Sequence, residues 1–423
     1  KSEDALDSIK AAVASFQILG DSSLKEAAPK QAAAPAAADW PHWPALLEAL
    51  TGKINTGAHT NLKLSARGIE EDGALVILCE DGITAMLAKA EPTMKVIREQ
   101  AAALFGVRDP ARVVFTMNAT HALNLAIHAL ARPGMRIAVS GYEHNAVIRP
   151  LALRGIDPVV LDTPLWDCAA MAGRAKREVA EGAQLFILNH VSNVFGFAAP
   201  VEEIASLLDE AGVPLILDAS QSAGILEIDV QRHPCLAAVC MPGHKGLYGP
   251  QGTGILLVLD DRIARRPLLA GGTGSRSEDM RQPDFLPDAL ESGTPNVPGI
   301  AGLAEGIAFV RAAGVENILA HERRLVGEFA RALEKERRIE CFAHPSQTGV
   351  LSLRVRGASS EGIAQALARR GVAVRAGLHC APLAHRTAGT ERTGTVRFSF
   401  AHDSTAEQTE RAAEILCETV KNL

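Results

Sequence analysis

The stretch PVEEIASLLDEAG, Pro200 to Gly212, leads through Val213 into PLILDASQSAG, Pro214 to Gly224, and this junction decides the fold. The first segment is helix-like. The second is a short, continuous apolar run that stops on the carboxylate of Asp218. The same alternation extends on both sides. PTMKVIREQAAALFGV (92–107) and ATHALNLAIHALARPG (119–134) read as amphipathic helices, the latter with Leu123, Ile127 and Leu130 on one face. RVVFT (112–116), RIAVS (136–140), DPVVL (157–161), QLFILN (184–189) and LAAVCM (236–241) read as apolar strands. Continuous apolar strands alternating with helices mean an α/β fold, a mostly parallel sheet covered on both faces. Ligands in such sheets bind beyond the carboxyl ends of the strands. GTPNVPGIAGLAEGIAFVRAAG (293–314) reads as a long connecting helix into a second, smaller α+β unit.

The bulk properties narrow the class. A chain of 423 residues with 47% hydrophobic residues supports a sizeable core. A net charge of −6, with both signs interspersed, gives no basic stripe for nucleic acid. No apolar run approaches the roughly 20 residues that span a bilayer, so no membrane association is expected. KSEDALDSIK lacks the apolar centre of a secretory signal, and the first residue is not Met, which leaves a processed or trimmed start open. Seven scattered cysteines without a CxxC pair support neither zinc nor a disulfide framework. A cytoplasmic setting fits best.

The N-terminal part is different in kind. Leu6, Ile9, Val13 and Phe16 recur at helical steps before Gly20, so residues 1–20 form an amphipathic helix, and an Ala/Pro linker follows over 21–44. That helix either packs on its own catalytic domain or docks a partner on a tether. Residues 45–91 are unassigned, with GALVILCEDG a candidate strand. The catalytic part divides into a large domain, 92–298, and a small C-terminal domain, 299–423.

Four polar features fall where apolar strands stop. Asp218 ends one strand, and Lys245 follows the next, 27 residues later, inside MPGHKGLYGPQGTG. One crossover unit separates them, so both are expected at one sheet edge. A carboxylate and a glycine-embedded lysine suit pyridoxal 5'-phosphate (PLP), which needs an amine for a Schiff base and an acid to keep its ring nitrogen protonated. Gln221 lies one helical turn on, within reach of the ring oxygen. Asn118, Ala119, Thr120 and His121 open a helix directly after a strand, which makes either an ordinary cap or an anion seat. Thr273 and Ser275 in AGGTGSRS either bind phosphate or merely turn the chain. His144 and Asn193 also end strands. Cys380, in VRAGLHCAPLAHRTAG with Arg375 and His379, sits where a thiol gains thiolate character, whereas Cys168, Cys235, Cys240, Cys341 and Cys417 read as inert core residues. Arg397, in GTVRFSFAHDST, would suit a substrate carboxylate.

Together FTMNATHALNLAI, EHNAV, HVSNVFG, LILDASQSAG, GHKGLYGPQGTG, ESGTPN, RAGLHCAPLAH and TVRFSF resemble the class V aminotransferase-like, PLP-dependent cysteine desulfurases and selenocysteine lyases over about residues 92–420. The HCA setting resembles the SufS-like branch. The resemblance implies PLP fold type I, with a mostly parallel seven-stranded sheet in the large domain. It implies Lys245 as Schiff-base lysine, Asp218 on the ring nitrogen, Gln221 on the ring oxygen and His144 on the ring face. Ala119, Thr120 and His244 would contact phosphate, joined by Thr273 from the other subunit of a homodimer. Asn193, Arg375 and Arg397 would hold substrate, and Cys380 would attack its sulfur. The implied reaction converts L-cysteine to L-alanine and leaves a persulfide on Cys380 for a sulfur-acceptor protein. Alternatives are a selenocysteine lyase, another class V C–S lyase or aminotransferase, and a non-catalytic scaffold or cargo protein. The family's opening strand, which reads like YLDNAAT, has no counterpart, and NTGAH with His59 is a faint echo of the segment that follows it.

Overall fold

A computed structural model describes residues 43–50, 63–64, 66–71, 74–79, 82–276 and 278–422. The helix expected over 1–20, the linker up to residue 42 and His59 lie outside the described residues.

The chain divides into two compact units, the smaller built from residues up to Ile97 with Gly272–Pro283. Its helix α1 spans Trp43–Leu50. Trp43 and Pro44, assigned by sequence to the linker, thus open a helix; proline is tolerated in a first turn because the N–H it lacks would have no helical partner there. Strands β1 (Ala66–Glu71) and β2 (Ala74–Cys79) pair antiparallel, with Ala66 opposite Cys79. β2 is the strand expected in GALVILCEDG. Its partner ARGIEE, rich in charge, gave no apolar signal. Helix α2 begins at Gly82, not Pro92, and runs to Phe105.

The larger unit comprises Arg98–Gly271 and Asp284–Leu423. From its N-terminal side it contains β3 (Val113–Thr116), α3 (Ala119–Leu130), β4 (Ile137–Ser140), α4 (Asn145–Leu153), β5 (Val159–Leu161), α5 (Cys168–Ala180) and β6 (Leu185–Asn189). Then follow α6 (Val201–Ala211), β7 (Leu215–Asp218), β8 (Leu236–Pro242), β9 (Gly254–Val258) and α7 (Asp261–Ala264). These strands form one seven-stranded sheet in the order β3-β9-β8-β7-β6-β4-β5. The run from β8 to β5 is parallel, and β9 is antiparallel to both β8 and β3. The reversal has a simple cause: the glycine-rich turn between Pro242 and Gly254 is too short for the helical crossover that a parallel neighbour needs. The sheet is therefore α/β and mostly parallel as expected. β9, which the sequence hides inside the glycine run, is its seventh strand.

Every residue of β4, β6, β7 and β8 is buried, as strands covered on both faces must be. Leu123, Ile127 and Leu130 of α3 join Val139, Ile187 and Ile216 in one core cluster. Glu291, from the ESGTPN segment, anchors the outer edge of the sheet. It takes two hydrogen bonds from Arg98 at 2.7 and 2.6 Å and a third from the Phe115 amide at 2.6 Å, while Arg98 lies 4.5 Å over the Phe115 ring.

The C-terminal portion adds α8 (Val297–Ala313), α9 (Val315–Leu333), β10 (Ile339–Phe342), β11 (Val350–Val355), α10 (Ser360–Ala368), β12 (Arg375–Gly377), α11 (Pro382–Thr387), β13 (Thr395–Ser399) and α12 (Ala406–Lys421). Its four strands pair antiparallel in the order β10-β11-β13-β12. Phe329 of α9, Leu367 of α10 and Leu416 of α12 pack with Leu351, Leu353 and Phe398 in a second core. Among the described residues no single helix is long and apolar enough to cross a membrane.

Candidate active site

Parallel strands in register finish together. Asn189 of β6 stands opposite Asp218 of β7, and Asp218 stands opposite Cys240 of β8. Their carboxyl ends open on a cavity of about 110 Å³. Asp218, Gln221, Lys245, His244, His144, Asn193, Ala119 and Thr120 all line it, eight residues singled out by sequence.

The glycines around Lys245 now have a reason. A Cβ on Gly224 would overlap the Gly246 carbonyl oxygen, and one on Gly246 would overlap the Ala223 carbonyl oxygen. Gly224 also has φ +84°, which disfavours a side chain. The turn after Asp218 and the turn of Lys245 pack backbone against backbone, and only glycine permits that approach.

At the other wall, α3 begins. Asn118 is its cap: Oδ1 accepts the His121 amide at 2.9 Å. Thr120 lies exposed in the first turn. The helix ladder has no partner for the Ala119 and Thr120 amides, and such first-turn N–H groups attract anions.

His144 caps α4. Its Nδ1 accepts the Ala146 amide at 3.0 Å, so a neutral ring carries its proton on Nε2. Burial lowers its pKa; Asp218 opposes this, and Lys245, Arg375 and Arg149 reinforce it. Asp218 is almost wholly buried, with Oδ1 held by the Ser220 amide at 2.9 Å. Lys245 retains solvent access in the open cavity, yet burial around its amine lowers its pKa, with Asp218 opposing and Arg397 and Arg375 assisting. His244, exposed beside it, is also lowered, by burial and by Lys245.

Cys380, Arg375 and Arg397 belong to the small sheet and its following loop, and hydrogen bonds tie them to the cavity. The Cys380 carbonyl accepts the Asn145 amide at 2.8 Å. Asn193 donates Nδ2 to the His379 carbonyl at 2.8 Å, and its own carbonyl accepts from Arg397 Nη1 at 3.0 Å. Three polar atoms of these residues are buried without a partner: Asn193 Oδ1, Arg397 Nε and His379 Nδ1. Arg375 Nη2 donates to Cys380 Sγ at 3.2 Å. Cys380 is exposed, on a turn where His379 and Cys380 have φ +51° and +60°.

The other cysteines divide. Cys235 and Cys240 are core residues as expected, and Cys341 and Cys417, half-buried, pack against the second core; Cys168 is half-buried. Thr273 belongs with the smaller unit, and its hydroxyl pairs with that of Ser275 at 3.2 Å.

Sequence reading missed Glu143 and Asn189. Asn189 lines the cavity, and its amide donates to Glu143 Oε1 at 2.7 Å. The only signal was a charge between an apolar strand and a helix, in EHNAV, where solvation is the usual expectation.

A family model described as aminotransferase class V matches residues 79–412. A protein named probable cysteine desulfurase from Methanothermobacter thermautotrophicus is 30% identical over 345 residues, covering 79% of this chain and 86% of that protein. One of the same name from Pyrococcus abyssi is 31% identical over 354 residues, covering 79% and 84%. The apo structure of a cysteine desulfurase from Thermococcus onnurineus aligns with a TM-score of 0.71 at 28% identity, covering 79% of this chain and 86% of that one. The match spans the seven-stranded and four-stranded sheets and every residue lining the cavity, and the chain belongs to the class V aminotransferase family.

Proposed function

We propose that the protein is a PLP-dependent cysteine desulfurase that converts L-cysteine to L-alanine and carries the sulfur on Cys380. Family membership implies PLP dependence, and the described residues fit that group. Lys245 offers an amine whose charged form is disfavoured, Asp218 a buried carboxyl group, α3 the Ala119 and Thr120 amides of its first turn, and His144 a ring fixed by its cap. PLP, when bound, supplies the electron sink that lets the substrate Cα lose its proton.

Lys245, once free as an amine, takes the Cα proton. His144, with its proton on Nε2, donates and recovers protons at the substrate. Arg397, whose Nε has no partner, and Asn193, whose Oδ1 has none, receive the substrate's polar groups, with Arg375 beside them. The Cys380 thiolate attacks the substrate sulfur: an S–S bond forms as the Cβ–S bond breaks, and the three-carbon fragment takes up protons to leave as alanine.

The carrying observation is the tie between the Cys380 loop and the head of α4, which holds the loop of an exposed thiol next to His144 in the lining of the Lys245–Asp218 cavity. Exposure leaves Cys380 open to a sulfur-acceptor protein, and its short turn into α11 supports the SufS-like branch. A homodimer, with Thr273 completing the neighbouring phosphate site, remains part of the proposal.

The test is Cys380→Ser in the PLP-loaded protein. Cofactor absorbance should persist while sulfide release from cysteine and the persulfide seen by intact mass disappear. Undiminished sulfide release would remove the persulfide step. Pyruvate and ammonia in place of alanine would point to another class V activity. Relative kcat/KM on cysteine and selenocysteine separates the desulfurase from the lyase.

A further inference from the structure

Glu143 is fully buried, one residue ahead of His144, and no step above uses it. Its Oε1 collects three donors: the Ser140 hydroxyl at 2.6 Å, the Asn189 amide at 2.7 Å and the Ser140 amide at 3.3 Å. Its Oε2 is buried and meets none. A carboxylate with a bare, desolvated oxygen is heavily penalised, whereas a carboxylic acid leaves only one O–H without an acceptor. Ser140 ends β4 and Asn189 ends β6, so the side chain clasps two neighbouring strand ends. Asn189 in turn stands opposite Asp218.

Two buried carboxyl groups acting on each other do not both ionise readily. Asp218 accepts the Ser220 amide and acts on Lys245. Glu143 has neutral donors alone, from β4 and β6, and the charged group acting on it is Asp218 from β7. His144, next in the chain, turns its Nδ1 to the Ala146 amide.

We propose that Glu143 is a positioning residue that works as an uncharged acid: it locks the ends of β4 and β6, steadies His144 at the head of α4, and leaves Asp218 as the negative charge at the cavity floor. The last part rests on the PLP reading of the cavity; the protonation does not. Burial pushes the Glu143 carboxyl up to about 8, the Ser140 hydrogen bond opposing and Asp218 adding to the rise. Above that pH a second negative charge appears near Asp218 and should strengthen the hold on a ring-nitrogen proton.

The protonation is read by infrared spectroscopy of the full chain uniformly labelled with 13C-glutamate, without PLP, across pH 6 to 10 (roughly two units either side of the titration). A protonated glutamic acid C=O band that fades near pH 8 and is missing in Glu143→Gln is expected. The glutamine keeps an acceptor for Ser140 and Asn189, so this variant should fold. Should it not, the wild-type spectrum still decides: two protonated glutamate bands are expected, and Glu322→Gln removes the other. A single band, lost in Glu322→Gln, would overturn the proposal. In the PLP-loaded protein, visible absorbance should show a pH step with the infrared midpoint, absent in Glu143→Gln. A step that survives that substitution would overturn the link to Asp218. Failure to bind PLP would sink the proposed function while leaving the infrared result to stand alone.

Discussion

The Asn145 amide donates to the Cys380 carbonyl at 2.8 Å, so the residue that opens α4 holds the loop of the exposed thiol. Proline at position 145 removes that N–H and sets its ring Cδ against the Cys380 carbonyl oxygen, so the loop must also move away. The helix itself accepts proline: this is its first residue, and His144 before it already has φ −79° and ψ 155°, which a following proline favours. Losing one such hydrogen bond costs about 1 kcal/mol, or roughly fivefold. Asn145→Pro should therefore keep its helix content and cofactor absorbance but form the Cys380 persulfide at least about fivefold more slowly in stopped-flow measurements. Asn145→Ala, which keeps the amide, should not. Equal rates in both variants would mean that the tie does not position the thiol.

Arg397 spends Nη1 on the Asn193 carbonyl and leaves Nε buried without a partner. An unfilled guanidinium edge in a desolvated place fits a carboxylate, and a lysine ammonium cannot make the same paired contact. Arg397→Lys should raise KM for cysteine roughly 10- to 100-fold, the equivalent of about 1.5–3 kcal/mol. The inhibition constant of L-alanine should rise in parallel. That of ethylamine, which has no carboxylate, should stay constant, and a parallel rise there would make Arg397 a purely structural cation.

The strand ends at Asp218 and Lys245 were legible because they rest on local signals: an apolar run, a polar stop, and one crossover between them. β9 was not, since GILLV sits inside a glycine-rich stretch whose turn signals dominate. β1 was not, because three of its six residues are charged. Glu143 was illegible for a deeper reason. Nothing local separates a solvated glutamate from one sealed between Ser140 and Asn189, residues brought together by the parallel pairing of β4 and β6. The hold of Asn145 on Cys380 likewise depends on where the small sheet meets the large one.

Gly224 tests the close packing beneath Lys245. Alanine there must adopt φ +84° and push against the Gly246 carbonyl. Gly224→Ala should lower the melting temperature, by the equivalent of about 1–3 kcal/mol. Because the displaced backbone carries Lys245, cofactor absorbance per mole of folded protein should fall as well. Full absorbance in a destabilised variant would show that the two turns are not mechanically linked.

Glu322 lies in the core of the C-terminal part, 2% exposed, and accepts the Gly349 amide at 3.2 Å. Burial raises its carboxyl to about 7 from an ordinary 4.5, against the Gly349 hydrogen bond. A pKa higher in the folded than in the unfolded chain stabilises the fold below the unfolded value and ceases to do so as pH rises through the folded one. Between about pH 4.5 and 7 the wild type therefore loses stability at this site, by ~3 kcal/mol if the whole shift is expressed. Glu322→Gln has no proton to lose and still offers an acceptor to Gly349. The difference in melting temperature, variant minus wild type, should climb as pH rises from 5 to 8 (roughly the titration window) and level off beyond it. A difference that stays flat, or falls, would mean that Glu322 does not lose a proton from the folded state in this window.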